Sequence, residues 1–283
     1  MRASSTSSSL LKGITLLIVK DYSNELQSAR EFAQAGSRVA MGHYGADPPT
    51  KRKSDGTWVT EADWAAEAQI RLRIARTWPE HNVLGEEEGL SGAGGGPARP
   101  GAPTWVIDPI DGTHNYMAGI PIWGTLVGLR IDDTTVVGVC DAPALGECYE
   151  AALGSGARMN GEPIAVDPLD SWEDSTVLTP GAEAFAQHGL TEFLDALISR
   201  AWRSRGFGEF WGHMLVARGA AHVMVEPELN LWDICALEVI VAEAGGRTTS
   251  LDGRPWTSNG SALTTNGTLH DDVLRLAANS SSG

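Results

Sequence analysis

Trp105-Val106-Ile107-Asp108-Pro109-Ile110-Asp111-Gly112-Thr113-His114-Asn115-Tyr116 is the stretch that organises the chain. The apolar run Trp105–Ile107 predicts a short buried strand that stops at Asp108. Pro109 offers no N–H to a ladder and fixes its own φ, so the chain is expected to turn there. In a continuing strand Asp108 and Asp111 would point to opposite faces, because side chains alternate with period two. A turn lets them converge. Two carboxylates brought together away from water repel unless one is protonated or a cation lies between them. Gly112 and Thr113 follow, where backbone N–H groups at a helix start can hold an anion. Carboxylates for a hard cation beside N–H groups for a phosphate point to a metal-dependent phosphatase. An Asp-Gly pair alone favours a solvated Asx-type turn instead, so the choice rests on distant partners.

Three other acidic signals also lie at the ends of apolar elements. Val59-Thr60-Glu61-Ala62-Asp63 opens a predicted helix running to Trp78. Thr60 and Asp63 have capping-box spacing, and a first-turn acid needs no further explanation. Asn82-Val83-Leu84 predicts a strand leading into Gly85-Glu86-Glu87-Glu88. Three adjacent acids ordinarily mark a solvated loop, yet these follow directly on apolar residues, as Asp108 does. Leu231 to Gly246 predicts a mostly buried helix stopped by Gly245-Gly246, with Asp233 in its first turn. Each acid has an ordinary explanation; four such placements in one chain make the joint coincidence poor.

The remaining pattern is mixed α and β. Glu25 to Met41 predicts a first helix, and Gly42 to Lys53 a loop with the basic cluster Lys51-Arg52-Lys53, from which Lys53 could approach a phosphate. Ser91 to Pro103 reads as a flexible loop. Trp123–Leu129 and Val136–Cys140 predict paired strands joined at Asp132-Asp133, followed by strands at Cys148–Leu153 and Ser175–Thr179. Helices are predicted over Leu190–Ile198 and Phe210–Gly219, then a strand His222–Val225 ending at Glu226-Pro227.

With 283 residues and 42% hydrophobic content, the chain can bury one large core or two intimate lobes. A net charge of −15 argues against a nucleic-acid surface, although metal ions can reverse the local sign for an anionic substrate. Three cysteines without CxxC spacing argue against a disulfide framework or zinc site and suit a reducing cytosol. No apolar run reaches the roughly 18 residues needed to span a bilayer. Leu10–Val19 lacks a small-residue cleavage site after it, so residues 1–20 read as an extension of a cytoplasmic protein.

Taken together, Val59–Asp63, Gly85–Glu87, Asp108–Thr113 with Asn115-Tyr116, and Trp232-Asp233 with Glu243–Gly246 resemble the motifs of the inositol-monophosphatase superfamily, in its order and over roughly residues 22–276. Within it, Trp105–Leu129, Trp202–Phe210, Leu215–Ala220, Glu226-Pro227 and Thr249–Gly253 are most similar to the actinobacterial type of histidinol-phosphate phosphatase. His114 stands at a position often basic there, and Glu209 where aspartate is expected.

The resemblance implies an α/β (α+β) fold, a layered αβαβα sandwich, usually a homodimer, with residues 21–276 forming two intimate lobes divided near 160–175 and 277–283 a tail. It implies a Mg²⁺-dependent, lithium-sensitive phosphomonoesterase. Glu86, Asp108, the Ile110 carbonyl and Thr113 would hold one Mg²⁺. Asp108, Asp111 and Asp233 would hold a second, and a weaker third would lean on Glu86. Asp63 would accept a proton relayed through Thr113, with Glu87 supporting the water network; Gly112 and Thr113 would hold phosphate without a phospho-enzyme. Glu209 and Glu226, with His114 nearby, would meet the leaving group of histidinol phosphate. Inositol or other cyclitol phosphates, sugar bisphosphates and 3′-phosphonucleotides keep the same chemistry. An aspartyl-nucleophile phosphatase fails on spacing, and an inactive binding protein of this fold would have lost ligands.

Overall fold

The computed structural model describes residues 20–46, 49–53, 56, 58–256 and 260–280. Except for Lys20, the predicted extension lies outside the described residues. The first half runs α1 (Ser23–His43), β1 (Thr50–Arg52), β2 (Trp58–Thr60), α2 (Glu61–Thr77), β3 (Asn82–Gly85), β4 (Gly89–Gly92), β5 (Thr104–Asp111), α3 (Thr113–Met117), β6 (Gly124–Ile131), β7 (Thr134–Ala142), β8 (Glu147–Ala152), β9 (Ala157–Met159) and β10 (Glu162–Pro163). The second half runs β11 (Thr176–Leu178), α4 (Ala182–Gln187), α5 (Thr191–Arg200), β12 (Arg203–Arg205), α6 (Glu209–Ala217), β13 (Val223–Leu229), α7 (Leu231–Glu243), β14 (Arg247–Thr249), β15 (Gly260–Thr265) and α8 (His270–Ser280).

An eight-stranded sheet of order β10-β9-β8-β7-β6-β5-β3-β4 and a five-stranded sheet of order β12-β11-β13-β15-β14 form two of five layers. Helices α1 and α2 cover the outer face of the larger sheet, burying Phe32, Ile70 and Ile74 against Trp105, Val127 and Val139. Helices α6 and α7 fill the space between the sheets, where Met214, Ile234, Leu237 and Ile240 meet Leu126, Cys140 and Tyr149. Helices α4, α5 and α8 close the far side around Phe185, Phe193, Leu263 and Val273. The layering is αβαβα. Because α7 is covered on both sides, it is apolar nearly all round, the composition of a buried helix. Among the described residues no helix is long and apolar enough to cross a membrane.

Helix α7 sits directly on the larger sheet because two glycines make room for it. Gly128 of β6 and Gly138 of β7 face each other across the ladder. A Cβ on Gly138 would lie 2.1 Å from the Ala236 carbonyl oxygen, and one on Gly128 would lie 2.7 Å from Cys235 Sγ. Gly138→Ala would therefore push against helix backbone, which cannot rotate aside as a side chain can. We expect it to lower stability by about 1–3 kcal/mol, the usual cost of overpacking, measured as a shift of the urea midpoint. An unchanged midpoint would show that the layer is looser than this contact implies.

The central stretch departs from expectation in one instructive way. Strand β5 does not stop at Asp108; it runs to Asp111. Asp108 pairs with Leu126 and Asp111 with Gly124, so three steps on β5 oppose two on β6. That extra residue is a β-bulge, and it shifts the alternation by one. Asp108 and Asp111 thus reach the same side without the strand ending. Pro109, with no N–H to contribute, occupies the irregularity, and its carbonyl accepts the Thr125 hydroxyl at 2.8 Å.

Smaller corrections have a common cause. The predicted loop Gly42–Lys53 contains ladder residues at Thr50–Arg52, the predicted loop Ser91–Pro103 opens on Ser91 and Gly92 at the end of β4, and the strand predicted to end at Glu226 continues to Leu229 past an irregularity. Each is a short segment ordered by its partner rather than by its own pattern. Helix α8 runs to Ser280 and so includes the first residues of the predicted tail.

Candidate active site

Four elements bring their ends together around the β5 bulge. Helix α2 begins with a capping box: Asp63 Oδ2 accepts the Thr60 N–H at 2.7 Å and the Thr60 hydroxyl at 2.6 Å. The other oxygen of Asp63 is free of that duty and accepts the Thr113 hydroxyl at 3.3 Å. The Thr113 hydroxyl also lies 3.1 Å from the Ile110 carbonyl. Gly112, at φ 84°, turns the chain from β5 into α3, and a Cβ there would lie 2.9 Å from the Ile122 carbonyl. Only glycine takes both that dihedral and that space without strain.

Asp108, Asp111 and Asp233 each offer a carboxylate oxygen within 4.8 Å of the other two. Asp108 is tied by the Ile110 N–H at 3.0 Å, Asp111 by the Phe210 N–H at 2.7 Å, and Asp233 by the Asn230 N–H at 2.7 Å. The Phe210 bond joins the start of α6 to the β5 bulge, so the two halves of the chain meet at this site. Asp108 and Asp111 are buried.

The electrostatics are those of carboxylates held close together in poor solvent. Burial, then the charges of Glu86, Asp111, Asp233 and Asp63, drive the Asp108 carboxyl well above its ordinary range. Burial, then Glu209 and Asp233, do the same to Asp111, against the Phe210 N–H. Burial pushes Asp233 up to about 7, opposed by the Asn230 N–H and reinforced by Glu86 and Glu209. Asp63 is pushed up to about 6 by burial, which its hydrogen bonds from Thr60 oppose. Burial lifts Glu87 to about 7.

Glu86 and Glu87 are met by Lys53, whose ammonium lies 2.8 Å from Glu86 Oε1 and 2.7 Å from Glu87 Oε1. Burial works against that charge, but the two ion pairs outweigh it and hold the lysine above its ordinary range. Lys53, which the sequence offers either as part of a solvated basic turn or as an approach to phosphate, pairs with two acids here. A cation is already needed where these carboxylates gather, and an ammonium stands in for one.

Glu226 is buried, and its Oε1 accepts the Glu209 N–H at 3.2 Å. Burial and the neighbouring Glu209 charge raise Glu226 well above its usual range. Burial also raises Glu209, while His114, exposed at the rim, favours its ionised form. Glu209 has φ 59°, a conformation that non-glycine residues adopt at a cost and that recurs at functional sites. The sequence did not single out Phe210 as a backbone donor, nor Glu67 and Arg71 behind the acidic turn. For the last two, spacings of four and eight from Asp63 along α2 were the available signal.

The structure thus brings Asp63, Glu86, Asp108, Asp111, Thr113 and Asp233 to one site, with Glu209 and Glu226 on its other flank. An all-oxygen carboxylate set of this kind suits a hard divalent ion. Residues 21–282 match the model of the inositol monophosphatase family. The chain belongs to that family. Among members of the family it is 40% identical to a histidinol-phosphatase of Streptomyces coelicolor over 90% of this chain and 97% of that one. It is 37% identical to a histidinol-phosphatase of Mycobacterium tuberculosis over 89% and 96%. A solved inositol monophosphatase-family structure, an IMPase of Thermotoga maritima, superposes with a TM-score of 0.80 at 29% identity, covering 91% of this chain and 98% of that one. The layered sandwich predicted from the motifs is the fold of this family, whose members generally use Mg²⁺. Membership makes this chain a phosphomonoesterase hydrolase.

Proposed function

We propose that the protein hydrolyses L-histidinol phosphate to L-histidinol and inorganic phosphate. The observation that carries the substrate is the pair Glu209 and Glu226, two acids on the flank of the site beyond those grouped with Asp108. Carboxylates there cost desolvation and repel phosphate. A leaving group bearing an ammonium and a titratable imidazole would offset both, whereas the hydroxyls of a cyclitol would not. The names of the relatives from Streptomyces coelicolor and Mycobacterium tuberculosis support the same choice.

Asp108, Asp111 and Asp233, with Glu86, Thr113 and the Ile110 carbonyl, would hold two Mg²⁺, and Glu86 a weaker third. When bound, the ions would polarise the phosphoryl group and make water acidic enough to attack it. The chain's own part is proton handling and orientation. Thr113 donates to Asp63 Oδ1, leaving its oxygen lone pairs to accept from the attacking water. As that water adds to phosphorus, its proton passes to Thr113 and the threonine's proton to Asp63; the P–O ester bond breaks, the leaving oxygen takes a proton from solvent water, and the proton held on Asp63 is returned to solvent, which restores the balance. Burial holds the Asp63 carboxyl above its ordinary range, which makes it the more basic acceptor for that proton. Gly112 and Thr113 present backbone N–H groups to the phosphate, and Glu87 supports the water network. The reading includes lithium inhibition, a homodimer and a cytoplasmic location.

The test compares kcat/KM for L-histidinol phosphate with that for inositol 1-phosphate, in wild type and in Glu209→Gln. We expect wild type to prefer histidinol phosphate. Loss of one charged hydrogen bond should cost that ester about 10- to 100-fold and the neutral-alcohol ester much less. A wild type that prefers a cyclitol phosphate would overturn the substrate and leave the phosphatase chemistry standing. Equal losses on both esters would make Glu209 structural.

A further inference from the structure

We propose that Glu67 is a positioning residue that fixes the Glu86–Glu87 turn and thereby sets its affinity for a divalent cation; this rests on the reading of Glu86 as a metal ligand. Three consecutive acids at the end of a four-residue strand have every reason to remain a solvated loop, because their charges repel and nothing in their own sequence orders them. The structure supplies the order from behind. The Glu67 carboxylate is fully buried, and its Oε2 accepts the Glu87 N–H at 2.9 Å while Oε1 accepts the Glu88 N–H at 3.0 Å. Arg71, one turn further along α2, donates to the same carboxylate at 2.8 Å, to the Gly89 carbonyl at 2.6 Å and to the Ser91 hydroxyl at 3.0 Å.

A buried carboxylate is tolerated only when paired and hydrogen-bonded. This one receives an arginine and two backbone amides, so its charge is answered on the side away from the metal acids. Gly85 shows how close the fit is: a Cβ there would lie 2.3 Å from Glu67 Oε1. Asp63, Glu67 and Arg71 lie at i, i+4 and i+8, on one stripe of α2. One rigid helix face therefore places the Asp63 carboxylate and, through Glu67 and Arg71, the backbone from Glu87 to Ser91. Geometry errors between the base and the metal acids are limited by a single element rather than by a loop. The hydrogen bonds of Glu67 go to Arg71, Glu87 and Glu88, and none among the described residues joins it to Asp108, Asp111, Asp233 or Thr113, so its effect passes through the turn. Partners standing behind metal ligands act in this way, and their loss weakens metal binding more than it changes the chemistry of the loaded site.

The experiment titrates Mn²⁺ into metal-free full-length wild type, Glu67→Gln, Arg71→Met and Gly85→Ala by calorimetry. Amide exchange at Glu87 and Glu88 is followed in the same metal-free samples, with kcat measured at saturating metal. The first two variants remove part of the clamp, and the third displaces Glu67 without removing its charge. We expect Mn²⁺ affinity to fall about 10- to 100-fold in each variant, exchange at Glu87 and Glu88 to quicken, and kcat at saturating metal to stay near wild type. A purely structural role would lower the melting temperature while leaving the Mn²⁺ constant where it was. That result in any folded variant overturns the assignment. If Glu67→Gln does not fold, Arg71→Met and Gly85→Ala decide the question by the same readings. Wild type that binds no Mn²⁺ would defeat the metal reading and this inference with it, whereas Mn²⁺ bound equally by wild type and variants would overturn the role of Glu67 alone.

Discussion

Excess chelator is expected to abolish phosphate-ester hydrolysis by this protein, and added Mg²⁺ to restore it. Asp108, Asp111 and Asp233 crowd oxygens within 4.8 Å of one another, and Asp63, Glu86 and Glu209 add their charges to the same region. Such a group is stable in only two ways: protons on some carboxyls, or cations among them. The pH dependence of stability separates the two. The carboxyls of Asp63, Glu87 and Asp233 are raised to about 6, 7 and 7, so between pH 4 and 7 these three groups hold more protons in the folded metal-free protein than in the unfolded chain. They act against the smaller opposite effect of His213 and His270, which burial lowers to about 3 and 4. Stability then falls as pH rises. Their contribution is favourable below the unfolded carboxylate values of about 4 and is lost as pH passes the folded values near 6 to 7. The melting temperature of metal-free protein should therefore decline over that window, and Mg²⁺ should remove most of the decline. Full activity in excess chelator would defeat the metal reading. A melting temperature that rises over the same window would mean that the acids contribute less than the buried His213 and His270, whose effect has the opposite sign, and would count against the acids being buried together.

Periodicity made α1, α2 and α7 legible because each buries a continuous stripe or, for α7, nearly every side. The acids of the site were legible by placement, at the ends of apolar runs. The β5 bulge was not. One extra residue leaves no mark in the alternation of Trp105–Ile107, since the partner strand decides where the ladder slips. The short strands at Thr50–Arg52, Gly89–Gly92, Arg203–Arg205 and Arg247–Thr249 were missed for the same reason: three or four residues carry too little pattern, and the pairing that orders them is distant in sequence. Asp63 marks another limit. Its capping explanation is correct, since Oδ2 does bond the start of α2, and it is compatible with the functional one, since Oδ1 faces Thr113. Two oxygens let one residue serve both roles, and sequence alone offers no means of separating them. Lys53 shows a further limit: a basic residue near a phosphate site suggests the phosphate, and nothing in the sequence signals that it also pairs with the protein's own Glu86 and Glu87.

Asp233→Asn is expected to lower kcat/KM by at least about 100-fold, the scale of losing one electrostatic contact to a developing transition state. The substitution is informative because Asp233 also has two tasks. Its Oδ2 accepts the Asn230 N–H at 2.7 Å at the start of α7, and an asparagine oxygen can accept the same bond. What asparagine lacks is the charge. If Asp233 mattered only as a helix-start acid, the rate would barely move and stability would drop by a few tenths to about 1 kcal/mol. The surroundings argue for the opposite sign in stability. Burial and the charges of Glu86 and Glu209 already raise this carboxyl to about 7, so its ionised form is unwelcome in the metal-free fold. Removing that charge at pH 8 should raise the melting temperature of the metal-free variant while reducing the further gain on adding Mg²⁺. The pair of measurements distinguishes the readings, because a damaged helix start would lower the first and leave the second intact. A rate within a fewfold of wild type would remove Asp233 from the metal site, and the Asp108–Asp111 pair would then have to hold the second ion without it.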